Sequence, residues 1–187
     1  MKYNYENNTK LRIVLLLDNE TKEKILTLNK EFSKDILFDE NCIPHITLIS
    51  GILKNKKDFE KSSKIINNLT NKYFKEKLTI NFNEFYFSPD NTWLFLGLEN
   101  NVKLLSFINE LRINLAPYFQ ISDARHLHVT LAKNSELKTK VEINNLQIPQ
   151  GFIAENIAIG LSGTNGILLN LIEKIKIKSA KNNLLIK

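Results

Sequence analysis

Two short stretches repeat one pattern of chemistry-bearing side chains, His45-Ile46-Thr47-Leu48 and His128-Val129-Thr130-Leu131. Each reads histidine, apolar, threonine, apolar, and together they use two of the chain's 3 histidines. Side chains alternate along a strand, so each copy puts an imidazole and a hydroxyl on one face and sends its apolar residues to the other. That combination suits phosphodiester cleavage. One proton must leave the attacking oxygen and another must reach the departing oxygen, at opposite ends of an in-line displacement. An imidazole with an unperturbed pKa of about 6.5 can do either near neutrality, and a threonine hydroxyl can donate to a non-bridging phosphoryl oxygen. No metal and no cofactor is then needed. A lone histidine near a strand end is more often a surface or packing residue; here the duplication carries the reading.

Other residues are weaker candidates for binding substrate. His126 precedes His128 by two positions and is expected to share its strand face, at the rim of the same site. His45, His126 and His128 together also admit a three-histidine metal site, which would leave both threonines unexplained. Trp93 and Tyr86, with Phe85 and Phe87 beside Tyr86, offer aromatic faces on which a nucleobase can stack, although strand aromatics are more often core. Arg125 and Lys133 flank the second motif and can steer a phosphate, but simple alternation puts both on the face away from His128. Ser62-Ser63 and the Gly163 to Gly166 turn carry no nucleophile or phosphate-loop pattern, and no Walker or dinucleotide fingerprint is present.

The elements that must hold the two motifs follow from periodicity. Leu11 to Leu17 reads as a buried strand, and Thr21 to Phe32, with Ile25, Leu28 and Phe32 at helical spacing, as the helix after it. Pro44 opens the first motif strand and Gly51 is expected to end it, before a helix from about Lys56 to Tyr73 with Phe59, Ile66, Leu69 and Tyr73 on its buried face. Leu78 to Phe87 and Thr92 to Leu98 flank the turn Ser88-Pro89-Asp90-Asn91 as an antiparallel hairpin. Leu104, Leu105, Ile108, Leu111 and Leu115 set the apolar face of a third helix, which Pro117 stops. A strand from near His126 to Ala132 carries the second motif. After the polar stretch Asn134 to Gln150, two strands, Phe152 to Leu161 and Ile167 to Ile177, make a last hairpin. The class is α+β, and one motif in each half hints at two related lobes.

Composition is that of an ordinary globular chain: 187 residues, 43% hydrophobic and 25% charged, which argues against disorder or a fibrous protein. No stretch is long enough for a membrane span or a secretory core, so a cytoplasmic protein is expected. The single cysteine, Cys42, excludes an internal disulfide or a cysteine zinc site within one chain and reads as packing. The net charge of +6 comes almost wholly from lysine. It accompanies an Asn- and Ile-rich bias and argues little for nucleic acid, and Lys174 to Lys187 reads as a solvated strand face and tail.

The paired motifs, the strand Thr92 to Leu98 before the third helix, and the run His128-Val129-Thr130-Leu131-Ala132-Lys133 resemble the two-histidine (2H) phosphoesterase superfamily. That superfamily includes the RNA 2′,3′-cyclic phosphodiesterases, also called 2′-5′ RNA ligases. The resemblance covers nearly the whole chain. It implies a single bilobal domain, residues 1 to 187, with two mainly antiparallel sheets lining a central cleft and helices outside. It also implies catalytic roles for His45, Thr47, His128 and Thr130, with His128 as base and His45 as acid when water opens a 2′,3′-cyclic phosphate to a 2′-phosphate. Expected partners are RNA ends, cyclic nucleotides or short oligonucleotides, with no membrane and a monomeric chain. Degradation of cyclic dinucleotide or 2′,5′-oligoadenylate signals, trimming of RNA 3′ ends, and a nucleotide-binding module without turnover stay open as alternatives.

Overall fold

The computed structural model describes residues 9–32, 43–122, 126–133, 149–163 and 167–177. Cys42, Arg125, most of the polar stretch 134–150, turn residues 164–166 and the tail 178–187 lie outside the described residues. In chain order the elements are β1 (Lys10–Leu16), α1 (Asn19–Phe32), β2 (His45–Leu53), a 3-10 turn (Lys56–Asp58), α2 (Phe59–Tyr73), β3 (Leu78–Phe87), β4 (Trp93–Leu98), α3 (Val102–Leu115), β5 (Phe119–Ser122), β6 (His128–Lys133), β7 (Gly151–Ala154), β8 (Asn156–Ser162) and β9 (Leu168–Lys176). All strand pairs are antiparallel, in the order β7-β3-β4-β6-β2-β1-β8-β9, with β5 added alongside β2. The two expected sheets thus meet along β2 and β6, the strands that carry the motifs.

Three helices pack on one side of this surface. Ile25 of α1, Ile66 of α2 and Leu104, Phe107, Ile108, Leu111 and Leu115 of α3 share one core with Ile46, Leu48, Val129 and Leu131 of the motif strands. Local signals set the helix ends: Asp18 Oδ1 accepts from the Thr21 amide at 2.7 Å, and Asn101 Oδ1 accepts from the Leu104 amide at 2.9 Å, each satisfying an amide with no intrahelical partner. Phe74, just past α2, meets Phe107 of α3 at a ring-centroid distance of 4.8 Å. Phe107 therefore fills the core place that spacing assigned to Leu105, which is exposed. Among the described residues no helix is long and apolar enough to cross a membrane.

Two boundaries differ from the sequence reading. β2 does not stop at Gly51 but runs on to Leu53, because β5 pairs with Ser50 to Leu53. A Cβ on Gly51 would lie 2.9 Å from the Gln120 carbonyl oxygen, so the glycine admits this close neighbour rather than ending the strand. The expected strand Phe152 to Leu161 is two strands separated by Glu155, β7 pairing with β3 and β8 with β1. In a flat sheet, six strand spacings of about 4.8 Å would set β7 and β8 roughly 29 Å apart. One linking residue spans only about 7 Å. The sheet must therefore curl until the end of β7 comes close to the start of β8.

α1 is tied to the second motif strand by a buried polar contact: Asn29, 2% exposed, donates Nδ2 to the Leu131 carbonyl at 2.8 Å. Asn29→Ala leaves that carbonyl unsatisfied in the core and is expected to cost about 1–3 kcal/mol in urea unfolding. A loss within 0.5 kcal/mol of that from Thr27→Ala, whose hydroxyl bonds at an exposed position, would refute the tie.

Candidate active site

The site starts from one register position. β2 and β6 pair only at Ile46 opposite Val129, the second residues of the two motifs. Both side chains are fully buried and point to the core. Their neighbours His45, Thr47, His128 and Thr130, each partly exposed, must then point to the opposite face. Antiparallel order sets His45 across from Thr130 and Thr47 across from His128, so each imidazole faces the other motif's hydroxyl.

Each motif's fourth residue is a bulge. β1 pairs Ile13 with Ile49 and Val14 with Thr47, skipping Leu48. β4 pairs Leu94 with Ala132 and Phe95 with Thr130, skipping Leu131. An extra residue resets the alternation beyond it. Lys133 pairs with Trp93 and so returns to the face of Thr130, where simple alternation had put it on the other side. Its Nζ lies 5.8 Å from the centre of the Trp93 ring. On β3 the aromatics divide: Phe85 and Phe87 pack against the core, whereas Tyr86 pairs with Phe95 and turns toward the motifs.

Both imidazoles are held by backbone and rings. His45 Nδ1 lies 2.7 Å from the Ile43 carbonyl. A carbonyl only accepts, so this nitrogen carries the hydrogen and leaves Nε2 with its lone pair. The His128 ring lies 4.2 Å from the Phe95 ring, centre to centre, with the Tyr86 ring edge-on at 6.4 Å. Gly97, opposite His128 on β4, makes room for Tyr86, since a Cβ there would approach Tyr86 Cε1 to 3.2 Å. The His126 carbonyl favours a charged His128 ring, yet Nδ1 closes no hydrogen bond of good geometry.

Burial pushes His45 down to about 4; the Ile43 carbonyl opposes the shift and the charges of Arg12 and His128 add to it. Burial likewise pushes His128 down to about 4, opposed by the His126 carbonyl and assisted by His126 and Arg12. With no ligand bound, both rings are neutral near pH 7.

Arg12 is the residue that sequence reasoning missed. It lies on β1 opposite Ser50 and Gly160. Its Nη1 donates to Thr47 Oγ1 at 2.8 Å and its Nε to Ser162 Oγ at 3.0 Å. The available signal was one charged residue inside the otherwise apolar run Leu11 to Leu17.

His126 and Tyr86 also border a second space. A cavity of about 740 Å³ opens between the β3–β4 hairpin and α3, lined among others by Glu84, Tyr86, Glu99, Arg112 and His126. Leu48 of the first motif reaches it, but none of His45, Thr47, His128 and Thr130 lines it. His126 stands before β6, exposed, and not on the strand face expected for it. Among the described residues no three His, Cys, Asp or Glu side chains gather closely enough to hold a metal ion, so the fold does not assemble the three-histidine alternative.

Comparison with known proteins bears on the fold and the family. The family model of the AKAP7 2′5′ RNA ligase-like domain matches residues 17–165. No curated protein sequence matches the chain. Among solved structures, E. coli LigT complexed with phosphate is similar at 14% identity and a TM-score of 0.61, over 93% of this chain and 100% of that one. TT0787 of Thermus thermophilus is similar at 12% and 0.62, over 91% and 99%. Kluyveromyces marxianus Usb1 is similar at 12% and 0.51, over 91% and 98%. At such identities the structures speak for the fold, and the family match for descent: the chain belongs to the AKAP7 2′5′ RNA ligase-like domain family, within the two-histidine phosphoesterase superfamily.

Proposed function

We propose that the chain is a metal-independent phosphodiesterase that cleaves RNA-type or nucleotide phosphodiesters, such as 2′,3′-cyclic phosphates or 2′,5′ linkages, by histidine general acid/base catalysis. The observation that supports this reading is the single face shared by His45, Thr47, His128 and Thr130 around the Ile46 and Val129 pair. On a 2′,3′-cyclic phosphate, His128 takes a proton from water as its oxygen bonds to phosphorus. The bond from phosphorus to O3′ breaks, and His45 delivers a proton to O3′, leaving a 2′-phosphate. Thr47 and Thr130 donate to the non-bridging oxygens, and Lys133 offsets their charge from the same face. The nucleoside lies toward Tyr86 and Trp93, and His126, before the other end of β6, contacts only the outer part of a longer substrate. Arg125, outside the described residues, keeps its assignment as a phosphate-steering residue next to the second motif. The proposed chain acts as a monomer, since the four motif side chains need no second copy to complete them, and its lone cysteine suits the reducing cytosol. Partners on this reading are RNA ends, cyclic nucleotides or short oligonucleotides.

The deciding assay incubates the protein in excess EDTA with 2′,3′-cyclic nucleotides, 2′,5′-oligoadenylate and cyclic dinucleotides, and separates the products. Turnover in EDTA is expected, with His45→Ala and His128→Ala each lowering kcat about 10²- to 10⁴-fold while the circular dichroism spectrum is kept. Activity lost in EDTA and restored by a divalent ion would overturn the metal-free reading, and 3′-phosphate products would overturn the assigned bond cleavage.

The lowered imidazole pKa values fix the sign of the pH dependence. The base must be neutral and the acid protonated, so kcat/KM, which reports the free protein, is greatest near the pair's own titration. With both rings pushed down to about 4, that maximum is expected well on the acid side of an ordinary imidazole's 6.5, falling as pH rises further. A bound phosphodiester anion favours imidazolium, so the kcat profile should lie at higher pH than the kcat/KM profile. Coincident profiles centred at or above 6.5 would contradict the burial argument.

A further inference from the structure

The two motifs are alike in sequence but not in surroundings. Thr47 Oγ1 receives a hydrogen bond from the Arg12 guanidinium, and among the described residues no arginine or lysine does this for Thr130. A guanidinium carries donors only, so Thr47 must accept at this contact. The hydroxyl's own hydrogen is then directed away from Arg12 and stays available to an acceptor on the cleft face. Arg12 in turn is braced by Ser162, whose Oγ accepts from Nε and donates to the Gly163 carbonyl at 3.3 Å. Three strands are joined in this way: β8 holds β1's guanidinium, which orients β2's hydroxyl. Arg12 lies before residues 17–165, so the family match does not extend to it.

We infer that Arg12 is a positioning residue that fixes the Thr47 hydroxyl as a committed donor to a phosphoryl oxygen, making the first motif the half of the site that anchors the phosphate. Ser162 sets the guanidinium's angle. Among the described residues Thr130 receives no such guanidinium, so nothing there commits its hydroxyl in the same way. The inference deepens the proposed phosphodiesterase reading and rests on the same cleft.

The test is a double-mutant cycle read by inorganic phosphate binding, followed by calorimetry or phosphorus NMR, which needs no turnover. Thr47→Val and Arg12→Met are each expected to weaken binding about 10-fold or more, as loss of a charge-assisted hydrogen bond does. In the Thr47→Val background, Arg12→Met should add no more than about a further 2-fold, because its effect passes through the missing hydroxyl. Arg12→Lys keeps the charge but not the two-armed fork, and should still weaken binding several-fold. Imidazole titration by NMR adds a readout that mere structural support would not move: Arg12→Met should raise both histidine pKa values, and Arg12→Lys should leave them near wild type. If circular dichroism shows Arg12→Met unfolded, Ser162→Ala replaces it in the cycle, with a smaller loss that likewise vanishes beside Thr47→Val.

Full additivity of Arg12→Met and Thr47→Val would overturn the inference in favour of direct contact between Arg12 and the anion. Complete rescue by Arg12→Lys, or no phosphate binding by the wild type, would overturn it as well. Phosphate binding with the expected coupling but without turnover of any phosphodiester would uphold it while sinking the enzymatic reading.

Discussion

Everything at the site depends on Ile46 lying opposite Val129. Burying the two side chains is worth about 1.5–3 kcal/mol each, and their shared orientation toward the helices forces four polar neighbours onto the other face. Shifting either strand by one residue would bury its imidazole and its threonine hydroxyl and expose its two core residues. Core formation and site assembly are therefore one event. The pairing is also as short as pairing can be: the strands meet at one position and then diverge, β2 toward β1 and β5, β6 toward β4. The bulges at Leu48 and Leu131 accompany that divergence, adding local twist to strands that must bend apart.

The electrostatics of the face oppose its stability. Two imidazoles and a guanidinium stand together in partial burial, each with its charged form disfavoured by lost hydration. Among the described residues no carboxylate pairs with Arg12, and the side chains it bonds there are two neutral hydroxyls. On the proposed reading, a phosphodiester anion entering this face supplies the negative charge that would favour the charged forms of the imidazoles and the guanidinium. The carbonyl behind His45 holds its ring at one tautomer without adding charge.

Much of this was legible in the sequence, and for a physical reason. Strand alternation is a local property, so four residues in each motif suffice to assign faces, and helix periodicity placed α1, α2 and most of α3. What was not legible belongs to pairing between strands. The Arg12 contacts join residues 35 and 150 positions apart. The bulge at Leu131, and with it the return of Lys133 to the motif face, is decided by β4 rather than by anything in β6 itself. β5 has four residues and one buried side chain, too few for a pattern. The break at Glu155 interrupts an apolar run with a single residue, which alternation reads as a strand simply continuing.

That break governs how the molecule can move. The halves of the curled sheet are joined along the motif seam between β2 and β6, and again by the covalent link at Glu155, whose carbonyl also accepts from the Ile177 amide at 2.8 Å. A sheet fastened along two seams cannot unzip at one of them to admit a ligand. It can only rock, each half tilting about the line that joins the seams. The four motif residues flank one of those seams, so a tilt of either half would have to break the Ile46 and Val129 pairing before it changed how they face one another. Under the proposed phosphodiesterase reading, a long oligonucleotide and a small cyclic nucleotide would meet the same pairing of motifs.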